Sequence, residues 1–522
     1  MSFFQDIPGE LMGILSRRDT LRKRIESDPG LPVPNPTRSF WMSPLADIRE
    51  PSANLPDYAD VVIIGSGITG ASIARTILAS TRDKLGADLE LKLKVVVLDA
   101  RDPCGGATGR NGGHIKPGIY EDYTLLKRRH GVAAAKTIIQ LRLAHIHETI
   151  RVAEKEGVIN AADVRETEGI DVCLSEELFQ SFKQRFAEWQ ADAPLQAKGF
   201  TVYDADEARK KFTLSDECKG AIVGPAGALS PYTLITSIWK RLSTQHPDHF
   251  SLFSHTSVTS ISAGPELYTV TTSRGTIQTP HIVHATNSHA GHLLPKMRGK
   301  IYPRRATCTA QRPGQAVSGT TQDGRRSWLF FQTTDRYEYV SQKPGPAGEI
   351  IVGGGHTLSG DVYGELGVAD DSTFNSTIAS YLGGVLPTVF GAENWGREAS
   401  HDTEDKEWSH GRVKATWSGI LCMSADGNPW VGRIPPRITQ RAAPVAMQRP
   451  GRVVTTSPGE WISAAYDGDG MASALMCGRA VAYMILGKEE SHGVSGWLPE
   501  PFLITEKRWG AVKSTDALQE HD

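Results

Sequence analysis

Residues 60–70 read Asp60-Val-Val-Ile-Ile-Gly65-Ser66-Gly67-Ile68-Thr69-Gly70. Four apolar residues run straight into a Gly-x-Gly-x-x-Gly spacing, and a helical pattern (Ala71, Ile73, Ala74, Ile77, Leu78) follows it. The chemistry this spacing serves is the holding of a pyrophosphate. Gly65 allows a tight turn, Gly67 lets a phosphate reach the backbone, and Gly70 lets helix and strand pack closely. The first helical N–H groups, with Ser66, Ile68 and Thr69 in the same turn, add hydrogen-bond donors and a partial positive charge. A second apolar run, Lys94-Val-Val-Val-Leu-Asp99, ends on a carboxylate suited to ribose hydroxyls, with Ala100 and Arg101 directly after it. A carboxylate there repels a 2′-phosphate, so NADP fits poorly; the alternative is a solvated strand end. The gap from Gly70 to Asp99 exceeds the usual ~20 residues, and the polar run 80–94 accounts for it as an insertion.

The chain that must position these residues has 522 of them, enough for two or three cores. Hydrophobic content of 39% and charged content of 22% suit a globular protein. A net charge of −2 provides no basic surface for nucleic acid. Cys104, Cys173, Cys218, Cys308, Cys422 and Cys477 are scattered without a CxxC pair or zinc spacing, which predicts free thiols, a reducing compartment and no metal site. No run reaches the ~18 apolar residues of a membrane span, and the first residues carry neither a basic n-region nor a long apolar stretch. The expectation is a cytoplasmic protein with no membrane partner.

Residues 1–56 read as an arm: an amphipathic helical stretch at 7–25, a proline-rich run at 29–36, and Phe40-Trp41-Met42, with Trp41 pinning the arm to the surface. Helices are expected at 123–130, 133–156 and 178–193, with one hairpin-like piece at 169–174. The segment 220–231 reads as a turn into a helix at 232–242. Short strands follow at 250–255, 257–261, 267–272 and 276–278, then a buried strand from His281 into Ala285-Thr286-Asn287. Strands at 301–309, 328–332, 337–342 and 350–354 predict one mixed sheet with a helix at 373–386 beyond it. Near the end, 461–465 is a strand and Gly468-Asp469-Gly470 opens a helix at 471–486.

NAD and FAD both suit the glycine turn. The segment after Asp99 separates them: Ala100-Arg101-Asp-Pro-Cys-Gly-Gly106-Ala107-Thr108-Gly-Arg110-Asn111-Gly112-Gly113-His114 is glycine-rich where an NAD domain would enter a helix. In flavoproteins such a loop wraps the FAD pyrophosphate and ribityl chain. Together with Ala285-Thr286-Asn287, Asp426-Gly-Asn-Pro-Trp-Val-Gly432 and Gly468-Asp469-Gly470-Met471, it makes the chain resemble the FAD-dependent oxidoreductases of the D-amino-acid-oxidase superfamily over about residues 57–490. The proline-rich arm and Tyr337-Glu-Tyr-Val-Ser-Gln-Lys-Pro344 are most similar to its fungal members.

That resemblance implies an α/β chain: a Rossmann-like FAD domain assembled from 57–119, 216–290 and 411–490, and an α+β substrate domain on a mixed sheet from 120–215 and 291–410. The arm at 1–56 and a tail at 491–522 complete the layout. It implies that Val258 meets the adenine through its backbone, that Asp426 and its neighbours run by the flavin's pyrimidine side, and that 468–471 place N–H groups near the flavin N1–C2=O. The implied reaction removes a hydride equivalent from a C–H beside an amine nitrogen, giving an imine that hydrolyses, with O2 or another electron acceptor reoxidising the cofactor. No strong side-chain base is required.

The implied catalytic candidates are His114, Lys116 and Asp469. His114 is a proton acceptor, a flavin contact, a covalent attachment point or a loop histidine on backbone. Lys116 matches a cation that holds a substrate carboxylate, or is a surface lysine. Where relatives carry a lysine after the C-terminal glycine turn, this chain has Ala472, and Asp469 stands where histidine is common. Asp469 faces a cationic amine or caps the helix. Cys422 invites comparison with a flavin-linking cysteine in a shifted register. Arg305, Tyr337, Tyr339 and Gln342, on expected strands with alternating faces, line a substrate pocket or pack the core. The competing readings are an NAD-dependent dehydrogenase and a flavin-binding protein without amine oxidase activity.

Overall fold

The computed structural model describes residues 17–48, 50, 54–80, 93–317, 323–360, 363–398, 407–445 and 455–519. Of the expected arm helix, 17–25 is helical, and the rest lies outside the described residues, as do 81–92 of the expected insertion. Three sheets are present among the described residues.

The first has six strands in the order Trp430–Arg433, Gly459–Ala464, His281–His284, Val61–Ile64, Val95–Leu98, Phe250–Phe253. All neighbours are parallel except the edge strand Trp430–Arg433. Every residue of Val61–Ile64, Val95–Leu98 and His281–His284 is buried, the pattern of a parallel sheet covered on both faces. Helices Ile68–Ser80 and Ala474–Ile485 pack so closely that a Cβ at Gly478 would sit 2.9 Å from Thr69 O. A small antiparallel sheet, Val258–Ala263, Tyr268–Thr272 and Gly275–Thr279, holds the last three of the four expected short strands, the first having joined the six-stranded sheet as Phe250–Phe253.

The third sheet has nine strands. Its path runs Val413–Ser424, Ile301–Gln311, Ile350–Gly354, Tyr337–Gln342, Arg326–Phe331, Arg165–Cys173, Gly220–Ala228, His114–Ile115, with Thr201–Asp204 also on Gly220–Ala228. Three pieces of the stretches expected to build the nucleotide unit lie on this sheet: His114–Ile115, Gly220–Ala228 and Val413–Ser424. Gly220–Ala228, expected as a turn in the nucleotide unit, is a strand here, because its glycines admit neighbours: a Cβ at Gly224 would lie 2.1 Å from the Phe200 ring. Val413–Ser424, also assigned to the nucleotide unit, pairs along the whole of Ile301–Gln311.

The long helix Tyr120–Glu156 breaks at Gly131, with φ at 80°, where the sequence separates its two helices. Asn375 caps Ser376–Phe390, its side chain accepting from the Thr377 and Ile378 amides. All six cysteines are free and buried. No helix among the described residues is long and apolar enough to cross a membrane.

Candidate active site

The glycine turn is closed to side chains where the sequence says it must be. Gly65 has φ 109° and a Cβ there would lie 2.5 Å from Ala285 O. One at Gly70 would lie 2.1 Å from Gly65 O. A Cβ at Gly67 would reach 3.0 Å from Thr108 Oγ1, which itself accepts the Ile68 N–H at 3.0 Å. Ser66 donates its N–H to Asp99 at 2.8 Å and accepts from the Cys104 N–H at 2.8 Å. Trp239 Nε1 donates to Ser66 O at 2.9 Å. Protein groups alone therefore hold the turn.

Beside it runs a cleft with about 1340 Å³ between its walls, its open mouth included. Gly65, Ser66, Gly67, Ile68, Thr69, Asp99, Ala100, Arg101, Gly106, Ala107, Thr108, Asn111, Val258, Ala285, Thr286, Asn287, Gly468, Gly470 and Met471 line it. The wall suits a dinucleotide. Thr286 Oγ1 and Ser288 Oγ are buried without a partner among the described residues, an arrangement that a polar ligand resolves. A Cβ at Gly106 or Gly468 would meet nothing within 4 Å, so both present bare backbone.

Other predicted cofactor residues stand outside the cleft lining. Arg110 donates to Gly105 O at 2.9 Å, Thr37 O at 2.7 Å and Ser418 O at 3.0 Å, tying loop, arm and strand together. Burial pulls its guanidinium down to about 10, against the pull of Asp371. Gly112 lies under Tyr339, whose ring a Cβ would meet at 2.5 Å, and Gly113, at φ 65°, abuts Leu229 O and Trp41. Asp426 is a correction: it pairs with Arg508 at 2.9 Å and accepts from Ser424 Oγ at 2.8 Å, so its charge is used on the C-terminal segment.

Sequence reading missed Leu31, Pro32, Thr256, Tyr466 and the strand residues Ile420 and Leu421, all on the cleft wall. Tyr466 OH bridges Thr69 Oγ1 and Ser463 Oγ, each at 2.8 Å. No local signal marks it; only the assembled turn brings the three together. Cys422 also lines the cleft, but burial and then Asp467 push its thiol well up, which keeps it a protonated, poor nucleophile.

The catalytic candidates separate. Lys116 is not free to meet a substrate: its ammonium pairs with Asp171 at 2.8 Å, both buried, and Tyr120 OH donates to the same carboxylate oxygen at 2.7 Å. Burial pulls Lys116 down, yet Asp171 outweighs it and holds the ammonium above its usual value. His114 pairs its backbone with Ala228, and its Nε2 is buried without a partner among the described residues. Burial, then Lys116 and Arg165, pull it down to about 3, so it is neutral at physiological pH.

Asp469 makes no cap hydrogen bond to the turn it opens. Its carboxylate accepts from the Gly118 amide and stands 3.9 Å from Arg142 Nη2, with the side chain 32% exposed. Burial raises its pKa against Arg142 and Gly118. The helix Ala474–Ile485 is served instead by His145, whose Nε2 accepts the Met476 N–H at 3.2 Å.

On the facing sheet, Arg304 replaces Arg305 as the available cation. Arg305 binds Glu365 at 2.6 Å and Thr373 Oγ1 at 3.0 Å, on the far side. Both register against the cleft wall, Arg304 at Leu421 and Arg305 at Ile420, so it is their partners that separate them. Among the described residues the Arg304 guanidinium has no hydrogen bond or ion pair, only the longer-range influence of Tyr337, Asp467, Tyr302 and Asp335. Burial lowers its pKa from the usual arginine value. The Tyr337 hydroxyl is likewise unpartnered among the described residues, and burial followed by Asp469 pushes it up to about 12. Tyr339 bonds Cys308 Sγ at 3.1 Å, and Gln342 donates to Val317 O at 2.9 Å; both serve the sheet.

Comparison with known proteins agrees with this geometry. The family described as DAO, FAD dependent oxidoreductase, matches residues 60–484. A glycine oxidase structure from Geobacillus kaustophilus superposes with a TM-score of 0.59 at 17% identity, covering 86% of this chain and 99% of that one. L-proline dehydrogenase from P. horikoshii gives 0.59 at 19% identity over 86% and 98%. L-amino acid deaminase from Proteus vulgaris gives 0.56 at 15% identity over 84% and 93%. In sequence, a subunit of the anaerobic glycerol-3-phosphate dehydrogenase of Haemophilus influenzae is 28% identical over 180 residues, a match spanning 34% of this chain and 26% of that relative.

Proposed function

We propose that this chain, which belongs to the DAO family of FAD-dependent oxidoreductases, oxidises the C–N bond of an amine that also bears a carboxylate, an amino acid, to an imine. FAD, not NAD, is its cofactor, and bound FAD supplies the acceptor for the hydride equivalent. The observation that carries the reading is Arg304: a half-buried guanidinium without hydrogen bond or ion pair among the described residues, beside the unpartnered Tyr337 hydroxyl. Leaving a buried cation unpaired is costly, and a substrate carboxylate offsets that cost. Each charge-assisted hydrogen bond from Arg304 would contribute about 1.5–3 kcal/mol. The same fold in glycine oxidase, L-proline dehydrogenase and L-amino acid deaminase supports this substrate class.

Arg304 and Tyr337 hold the carboxylate and fix the substrate's orientation. Asp469, whose charge acts on Tyr337, faces the ammonium and takes one of its protons. The amine must be neutral before the C–H beside it can yield a hydride. Loss of that hydride leaves the protonated imine, an iminium cation, which water hydrolyses to the oxo acid and ammonium. The reoxidising acceptor is O2 or another oxidant, distinguished by whether turnover consumes oxygen. A flavin-binding protein without this activity would have no use for Arg304 left unpaired.

Titration of the holoprotein with acetate, propionate and benzoate, followed through the flavin absorbance, tests the reading. A saturable spectral shift is expected in the native protein and in Arg305→Met, weakened by about 30-fold or more in Arg304→Met. No shift in the native protein, or one unaltered in Arg304→Met, contradicts it.

A further inference from the structure

The N-terminal arm is part of the cofactor site. Leu31 and Pro32 stand on the cleft wall with the glycine turn, Asp99 and Arg101. On one side of them, Asp28 accepts from Arg298 Nη2 at 2.6 Å and from His292 Nδ1 at 3.1 Å, and Gly30 O accepts from His289 Nδ1 at 3.0 Å. These partners follow the first-sheet strand His281–His284. On the other side, Thr37 N–H donates to Asp371 O at 2.7 Å and Thr37 O accepts from Arg110 at 2.7 Å. Ser39 Oγ donates to Gly109 O and Trp41 Nε1 to Asn111 O, each at 2.6 Å, so this end grips the glycine loop.

The span between the two ties is short and contains Pro32, Pro34 and Pro36, which stiffen it in an extended form. Leu31, an apolar side chain at the cleft, is 40% exposed, and a bound cofactor would cover part of that surface. The arm thus crosses the cleft mouth from the nucleotide-sheet side to the glycine loop.

We propose that residues 28–41 form a strap that closes over bound FAD and sets the rate at which the cofactor leaves. While both ties hold, a dinucleotide in the cleft has Leu31 and Pro32 across its way out. Release requires one tie to open. The strap holds the cofactor without a covalent bond.

The test measures release, not turnover. FAD-loaded protein is diluted into buffer and free-flavin fluorescence followed, for the native chain and for Asp28→Ala/Leu31→Gly. Loss of one charged hydrogen-bond cluster and one apolar contact predicts release faster by about tenfold or more. A folded double variant that releases FAD at the native rate overturns the strap. The second measurement needs no variant: trypsin cleavage after Arg38, whose side chain is 54% exposed while the next residue, Ser39, is 1% exposed. Cleavage is expected to be faster in FAD-depleted than in FAD-loaded native protein; equal rates overturn the proposal. Should the double variant fail to fold, cleavage decides alone.

Discussion

The two sides of this site work by different means. Around the glycine turn the backbone dominates: Gly65, Gly67 and Gly70 leave space, and the unpartnered hydroxyls of Thr286 and Ser288 line the cleft. On the facing sheet the proposed site rests on side-chain charges, Arg304 with Tyr337, and Asp469 within electrostatic reach of Tyr337. A backbone site demands residue types that nothing else can supply. A side-chain site demands only that the right residue of an alternating strand point inward, and a shift of one position exchanges faces. Arg304 and Arg305 are adjacent and identical in type, yet Arg305 is bound by Glu365 and Thr373 and Arg304 by no described residue.

The largest effect should come from the backbone side. Gly67→Val would fill the phosphate approach next to Thr108, and FAD affinity should fall by at least about 100-fold; a variant purified with full flavin would remove the turn from the cofactor site. The next largest lies across the cleft. Arg304→Met should lower kcat/KM by about 30–150-fold, mainly through KM and with flavin content unchanged, whereas Arg305→Met should alter stability and not KM. Equal kinetic effects of the two would break the assignment to Arg304. Tyr337→Phe removes one hydroxyl donor and should raise KM by about fivefold, measured with the same substrate.

Asp469→Asn sharpens the comparison through pH. Burial raises the Asp469 pKa, so the acidic limb of kcat/KM should lie above the ordinary carboxylate range and vanish in the variant. A limb that persists would assign it to another group. The smallest effect on the site should come from Glu338→Gln. Burial pushes this carboxyl from 4.5 up to about 7. Between those values the native state keeps a proton that the unfolded chain has released, so stability falls as pH rises through the window. The variant should flatten the thermal-unfolding profile from pH 4.5 to 7 and leave flavin content and KM alone.

The same division explains what the sequence made legible. The strands flanking the first turn, the closure at Gly65 and Gly70, and the break at Gly131 are local demands, written in glycine and in unbroken apolar runs. Gly220–Ala228 and Val413–Ser424 join the nine-stranded sheet through partners far along the chain, which no local pattern announces. Lys116 promised a free cation, but Asp171 lies 55 residues away and only the fold brings them together. Asp426 failed in the same way, through Arg508, 82 residues on. Arg304 is told apart from Arg305 only by the fold, which brings Glu365 and Thr373, 60 and 68 residues on, to Arg305.

Oxidation of an amino acid held by its carboxylate is tested most directly by anaerobic reduction of the bound flavin, comparing amino acids with the amines obtained by removing their carboxylates. An amino acid should bleach the flavin's visible absorbance, and its decarboxylated counterpart should do so far more slowly, a difference abolished in Arg304→Met. Bleaching at equal rates by both, or by no amino acid at all, would contradict the assignment.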